Sequence, residues 1–223
     1  LHGGFGSWMH WLRLIPLLMP RWRVLAPDTP GLGDSAEAPA PYSAPSIAAI
    51  IADGARQLVG ATPFMLAGFS FGGMLGGHVA AALGEQVRGF VFFGPGGLGL
   101  KRGEHLPLLH WRHMTDRAEI EATQAENLRR FMLHDPLRID AAAVWIQTES
   151  TARARVRSRP WAGTDTLAQA LQTELRLTRA VTRHPDFLEG VRAQVVEKTR
   201  DPKWQPATIE QVDPAAIAAM FEG

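Results

Sequence analysis

The sequence predicts an α/β fold: a parallel sheet with helices on both faces, followed by a mostly helical second half. Short apolar runs bounded by Gly or Pro, at residues 22–27, 64–69 and 89–94, are typical of buried strands. Longer periodic segments at 45–60 and 71–87 lie between them and favour helices. Because strand and helix alternate, the strands are expected to pair in parallel.

Composition limits the class of protein. The chain has 223 residues, of which 46% are hydrophobic and 20% charged, which predicts one compact domain or two small ones. The net charge of +1 argues against a nucleic-acid or membrane surface, and the absence of Cys excludes disulfides and thiolate metal sites. No apolar run reaches bilayer length and no signal peptide is visible. We therefore expect a soluble, cytoplasmic protein that binds a small molecule.

Charge divides the chain into two zones. Residues 1–100 hold five of the 23 Arg and Lys and five of the 22 Asp and Glu, so most charges follow Lys101. In the second zone apolar residues recur at spacings of three and four among these charges, which is typical of amphipathic helices. The predicted helical segments are 116–133, 138–158 and 164–183.

The segment GFSFG at residues 68–72 fits the G-x-S-x-G nucleophile elbow, because a predicted strand ends at Phe69 and a predicted helix begins just beyond Ser70. Side chains at Gly68 and Gly72 would collide with the neighbouring turns. Ser70 is therefore the candidate nucleophile. The alternative is a Gly-rich turn with a structural role only, and a phosphate loop is disfavoured because no Gly-Lys-Ser or Gly-Lys-Thr follows.

A second Gly-rich loop, HGGFG at residues 2–6, offers the backbone amides that acyl transfer needs. We predict that the oxyanion donors are the amide of Gly4 and the amide of Phe71, the residue after the nucleophile. A plain turn is the alternative for this loop, and core packing explains the neighbouring tryptophans equally well. The candidate substrate-binding residues are the aromatic side chains Phe5, Trp8 and Phe69.

Together these motifs resemble the α/β-hydrolase superfamily, and most of all its capped branch of carbon–carbon bond hydrolases, esterases and haloperoxidase-like enzymes. The resemblance rests on HGGFGSW, PDTPGLGDS, GFSFGG, VFFGPGG and an Arg-rich helical insertion. It implies a serine nucleophile at Ser70 on the carboxyl edge of the sheet, an ester or acyl substrate and no cofactor. It also implies a structural role for Asp28 in PDTPG.

The chain departs from this family after Leu171, where neither the triad acid nor the triad histidine follows. The tail instead resembles the C-terminal end of the crotonase-like 3-hydroxyisobutyryl-CoA hydrolases and brings no catalytic carboxylate. This resemblance implies a partial hydrolase core at 1–100, a helical cap region at 101–171 and a crotonase-like tail at 172–223. The matching tail residues are Phe187, Glu189 to Ala193, Lys198, Pro202, Trp204 and Pro206.

None of the histidines is expected within hydrogen-bond reach of Ser70. His78 lies two helical turns beyond Ser70 and points away, and His2 is commonly structural in the resembled family. His110 and His113 have the spacing of a metal pair on one helix face but no third ligand. Structural, solvated or substrate-lining positions are expected for the histidines in the second zone of the chain, which are His105, His110, His113, His134 and His184.

Three functions stay open from the sequence. The first is a serine hydrolase that acts on an ester, acyl or carbon–carbon bond and is weak because its triad is incomplete. The second is a fragment of an acyl-CoA thioester hydrolase, as the tail resembles, and the third is a non-catalytic fragment or interaction module. The Arg-rich stretch 151–161 is read as a solvated helix. Open sheet edges also predict self-association.

Overall fold

The computed structural model describes residues 1–100, 106–173 and Lys203. Two strands and six helices follow one another in these ranges, with short 3-10 turns between them. No helix among the described residues is both long and apolar enough to span a bilayer. The elements are α1 (Ile15–Leu18), α2 (Ala44–Val59), β1 (Phe64–Phe69), α3 (Phe71–Leu83), β2 (Val87–Phe93), α4 (Arg117–Phe131), α5 (Ala141–Ala152) and α6 (Thr166–Thr173).

The sheet of the described residues consists of β1 and β2, which pair in parallel with Phe69 opposite Phe93. Leu1 adds to the other edge of β1, because its carbonyl accepts the Phe69 N–H at 3.0 Å and its nitrogen donates to the Ala67 carbonyl. Parallel strands joined by a helix are the predicted α/β arrangement, which is confirmed.

The prediction of a strand at residues 22–27 is wrong. This segment has no strand or helix assignment, and its side chains are largely exposed, Trp22 and Leu25 among them. An extended segment becomes a strand only when its backbone groups pair with a neighbour. Leu1 is followed at once by the loop at residues 2–6, so it offers this segment no extended partner.

Helix α3 covers one face of the sheet. Leu66 and Gly68 of β1 and Phe90 of β2 are buried on this face, and Phe90 lies against Gly76 of α3. On the opposite face the turn Trp8–Trp11 supplies ring contacts to the last residues of both strands. The alternation along each strand thus places the core on the α3 side.

Helix α2 forms at the predicted position because both of its ends carry capping residues. The Ser43 side chain accepts the Ser46 N–H while the Ser46 side chain accepts the Ser43 N–H, which completes a capping box. Pro45 lies in the first turn, where a missing N–H costs nothing. Gly60 ends the helix at φ 61°, a conformation that disfavours other residues.

Helix α5 ends earlier than the segment 138–158 predicts. The chain leaves the helix after Ala152, and the N–H groups of Arg155 and Val156 both donate to the Gly31 carbonyl, at 2.9 and 3.2 Å. Hydrogen bonds to a distant loop therefore replace the intrahelical bonds that the sequence period predicted.

Substitution of Gly68 tests how much the close contact of β1 with α3 contributes to the stability of the fold. A Cβ at Gly68 would lie 2.5 Å from the Gly72 carbonyl oxygen, and backbone cannot yield as a flexible side chain does. We expect Gly68→Ala to lower the free energy of unfolding by about 1–3 kcal/mol in urea denaturation. The control is Gly54→Ala in α2, where a Cβ meets nothing within 4 Å; it should raise stability by about 0.5–1 kcal/mol. Equal effects of the two changes would contradict this account.

Candidate active site

Ser70 lies at the junction of β1 and α3 with a strained backbone. Its φ of 52° and ψ of −112° place a non-glycine residue in a sparsely populated region. Its N–H donates to the Phe93 carbonyl at 2.8 Å, and its carbonyl accepts the Gly73 N–H at 3.0 Å. The side chain is half-buried and makes no hydrogen bond to any described residue. The elbow thus fixes the backbone of Ser70, while its hydroxyl makes no hydrogen bond to a described residue.

Two glycines make this geometry possible. A Cβ at Gly72 would lie 2.4 Å from the carbonyl oxygens of both Leu1 and His2, so only a hydrogen fits there. A Cβ at Gly68 would likewise collide with the backbone of Gly73, at 2.7 Å from its Cα. The contact of Gly72 with the Leu1 and His2 carbonyls places the start of the HGGFG loop against the first turn of α3.

The predicted oxyanion donors lie next to each other. A Cβ at Gly4 would be 3.4 Å from the Phe71 Cβ, so the two residues are in contact. Neither the Gly4 N–H nor the Phe71 N–H has an acceptor among the described residues. Phe5 in the same loop has a φ of 58°, and it and Ser70 are the described non-glycine residues with positive φ. Positive φ at non-glycine residues is uncommon and is enriched at functional sites.

His2 anchors the HGGFG loop at residues 2–6, here named the oxyanion loop after its predicted role. Its Nδ1 lies 2.9 Å from the Gly3 carbonyl and therefore donates, while its Nε2 accepts the Thr29 N–H at 2.9 Å. Asp28 joins the same network by accepting the N–H groups of Trp8 and Asp34, at 2.7 and 3.0 Å. These bonds fit a structural role for both His2 and Asp28.

His10 is a residue that the sequence reasoning missed. Its ring packs edge-on against Phe69, the residue before Ser70, with ring centroids 5.7 Å apart. Its Nδ1 accepts the Gly3 N–H at 3.3 Å. The available signal was the motif SWMHW directly after the oxyanion loop, which places a ring one turn from that loop.

Burial keeps these two histidines neutral. It lowers the pKa of His2 to about 4, against smaller opposing effects of the Gly3 hydrogen bond and Asp28. Burial also lowers the pKa of His10 to about 4, and the neighbouring His2 lowers it further. A buried imidazole resists protonation because the charged form loses its hydration.

None of the other described histidines is hydrogen-bonded to the Ser70 hydroxyl. His78 Nε2 is 2.8 Å from the Thr166 Oγ1 and so ties α3 to α6, and burial lowers its pKa. His110, His113 and His134 are exposed. Among the described residues no group of three His, Asp or Glu side chains converges on one point. His105 and His184 lie outside the described residues.

The predicted aromatic residues surround the elbow on different sides. Phe69 packs against Gly3 and His10, whereas Trp8 is 37% exposed in the turn beyond the loop. The Arg159 guanidinium lies over the Phe5 ring, 5.5 Å from its centroid. Phe5 therefore belongs to the HGGFG loop itself, Phe69 packs against that loop at Gly3, and Trp8 lies just beyond its end.

A strand, a strained serine, a helix and a neighbouring Gly-rich loop, in this order in space, are the arrangement of the alpha/beta hydrolase fold. A family model described as alpha/beta hydrolase fold matches residues 1–135. The chain therefore belongs to the alpha/beta hydrolase fold family. A second family model, described as enoyl-CoA hydratase/isomerase, matches residues 140–221.

Curated proteins match the C-terminal part. The mitochondrial 3-hydroxyisobutyryl-CoA hydrolase of Dictyostelium discoideum is 41% identical over 56 residues, which cover 25% of this chain and 15% of that protein. The 3-hydroxyisobutyryl-CoA hydrolase-like protein 5 of Arabidopsis thaliana is 42% identical over 60 residues, 26% of this chain and 16% of that protein. The chain thus spans about 15% of the length of these relatives.

Among solved structures, the wild-type Cfl2 of Burkholderia cenocepacia is similar over 82% of this chain and 66% of that one, with 25% sequence identity and a TM-score of 0.51. The likeness supports the fold of the described core.

The lowered pKa of His2 predicts that the stability of the folded chain depends on pH. The unfolded histidine titrates near pH 6.5, whereas in the folded chain its pKa is about 4. Between these values the unfolded chain binds more protons, so stability is lost as the pH falls from about 6.5 to about 4. We expect His2 to contribute a loss of about 3 kcal/mol over this window. Urea denaturation should show a smaller loss in His2→Gln, whose amide can still accept the Thr29 N–H; an unchanged pH slope would contradict the assignment.

Proposed function

We propose that the chain is a serine hydrolase in which Ser70 attacks an ester or related acyl bond and the amides of Gly4 and Phe71 receive the developing oxyanion. The observation that supports this most is that Gly4 and Phe71 are in contact beside Ser70, and that neither of their N–H groups has an acceptor among the described residues. Ser70 itself has a positive φ, and its hydroxyl makes no hydrogen bond to a described residue. Amides that point at no protein acceptor are available to a substrate oxygen.

The chemistry follows from this arrangement. Attack forms a bond between the Ser70 Oγ and the acyl carbon, moves the carbonyl electron pair onto oxygen, and releases the hydroxyl proton to water. The two amides stabilise the negative oxygen, and the positive end of α3 adds to them. When the carbonyl re-forms, the leaving alcohol departs with a proton from water. A second water then hydrolyses the acyl-serine.

The proposed enzyme is slow. No described histidine or carboxylate is hydrogen-bonded to the Ser70 hydroxyl, which therefore keeps the low reactivity of an ordinary alcohol. Sites that lose their base retain only the catalysis of binding and oxyanion stabilisation, about a thousandfold or more above water. This residual rate is what we propose for an ester substrate.

Hydrolysis of an acyl-CoA thioester is the second candidate. It is favoured by the likeness of the C-terminal part to proteins named 3-hydroxyisobutyryl-CoA hydrolase. Their matched portion is small, and the reactive groups of the resembled family lie outside it. Saturable binding of CoA to the folded chain would favour this candidate, and calorimetry without a binding signal would remove it.

We also propose that the chain associates with a second copy through the outer edge of β2. Within the described residues β2 pairs with β1 alone, and Val91 and Phe93 on the face opposite α3 are 40% and 51% exposed. A strand edge beside apolar side chains is a template for pairing with another chain. A non-catalytic interaction module would use the same surface.

Active-site labelling tests the nucleophile. A fluorophosphonate bonds to a serine oxygen with loss of fluoride, and donors to its phosphonyl oxygen speed this reaction. Because the two amides act on Ser70 alone, intact-protein mass spectrometry after long incubation should show one adduct. We expect the adduct to disappear in Ser70→Ala. It should persist in Ser46→Ala, which removes an exposed serine of the α2 capping box. A folded chain that takes up no label would favour the non-catalytic module.

The association proposal predicts a concentration-dependent molar mass in light scattering. Val91→Lys places a charge on the exposed edge and should shift the chain toward the monomer. Leu137→Lys, at an exposed side chain distant in sequence from β2, is the control and should leave the mass unchanged. A monodisperse monomer at all concentrations would contradict the proposal.

A further inference from the structure

The segment from Arg155 to Ala162, here named the strap, crosses the oxyanion loop. At its start the Arg155 and Val156 amides donate to the Gly31 carbonyl, and at its end the Ala162 carbonyl accepts the Gly97 N–H at 3.1 Å. Gly31 provides the room for this contact, since a Cβ there would lie 2.3 Å from Val156. The strap is therefore fixed at both ends to loops of the hydrolase core.

Ser158 lies at the middle of the strap and faces Gly4. A Cβ at Gly4 would be 2.1 Å from the Ser158 Oγ and 3.1 Å from the Ser158 Cβ. The same point is 3.4 Å from the Phe71 Cβ, so both predicted oxyanion residues and the Ser158 hydroxyl converge on it. The absence of a side chain at Gly4 is what lets this hydroxyl approach the loop.

The position of Ser158 is held by aromatic contacts on both sides. Trp161 stacks on Phe71 with ring centroids 5.6 Å apart and planes 28° from parallel. Arg159 covers the Phe5 ring of the oxyanion loop. Ser158 itself is 7% exposed, and its hydroxyl makes no hydrogen bond to a described residue. A hydroxyl on a largely buried residue that makes no such bond is available as a donor.

We propose that the Ser158 hydroxyl is a third donor to the oxyanion, beside the Gly4 and Phe71 amides. It donates a hydrogen bond and transfers no proton, so the reaction described for Ser70 is unchanged. A hydroxyl can rotate its hydrogen toward the oxygen as charge develops, which strengthens the transition state more than the ground state. This inference rests on the proposed role of Ser70.

The test measures the rate of fluorophosphonate labelling of Ser70 in three variants at Ser158. Because the trigonal-bipyramidal transition state places negative charge on the phosphonyl oxygen, the rate reports oxyanion donors. Ser158→Ala removes the hydroxyl, Ser158→Thr keeps it, and Ser158→Cys keeps the volume with a weak S–H donor. The reference is Ser46→Ala, and thermal melting of each variant checks the fold.

We expect the labelling rate to fall about 100-fold in Ser158→Ala, to fall strongly in Ser158→Cys, and to stay near that of the unaltered chain in Ser158→Thr. A change of less than about threefold in both the Ala and Cys variants would overturn the role of Ser158 while leaving Ser70 as the nucleophile. If Ser158→Ala does not fold, the Cys and Thr variants decide alone. No labelling of the unaltered chain would overturn both proposals.

Discussion

The close approach of β1 to the first turn of α3 is the contact on which the rest of the site depends. Gly68 lies against the backbone of Gly72 and Gly73, and this contact forces the single residue between strand and helix, Ser70, to positive φ. Gly72 in turn lies against the Leu1 and His2 carbonyls. Ser70 and the HGGFG loop are therefore positioned by one set of backbone contacts, in which a Cβ at either glycine displaces both.

Packing and sequence similarity divide this chain at different places. The match to the enoyl-CoA hydratase/isomerase family begins at residue 140, ahead of α5 and the strap. Yet the strap is bonded to Gly31 and Gly97, and Leu167 of α6 packs into the space left by Gly77 of α3. Residues up to at least α6 are thus part of the hydrolase core in three dimensions, and the boundary predicted at residue 171 stays a prediction.

The sequence predicts best where the determinants are local. The run from Phe64 to Leu83 contains its own strand, turn and helix signals, and the elbow appears where the motif predicts it. The segment 22–27 has strand composition, but its backbone makes no ladder hydrogen bonds to the described residues, and composition does not report whether a neighbouring strand is present. His10 and Ser158 were missed for a related reason. Their importance comes from contacts with Phe69 and Gly4, which are distant in sequence from His10 and Ser158, and a local pattern does not encode such contacts.

Electrostatics explain how such a site can hold a negative oxygen without a base. His2 and His10 have pKa values of about 4, so at neutral pH the loop carries no imidazolium. In the proposed reaction, stabilisation comes from dipoles that are already oriented: two amides, the positive end of α3 and one hydroxyl. Dipoles held by a rigid backbone need no reorganisation when charge develops, and they keep their strength where water is excluded. The same burial that holds His2 neutral favours its structural role, because a ring whose two nitrogens are bonded to Gly3 and Thr29 is not free to take up a proton.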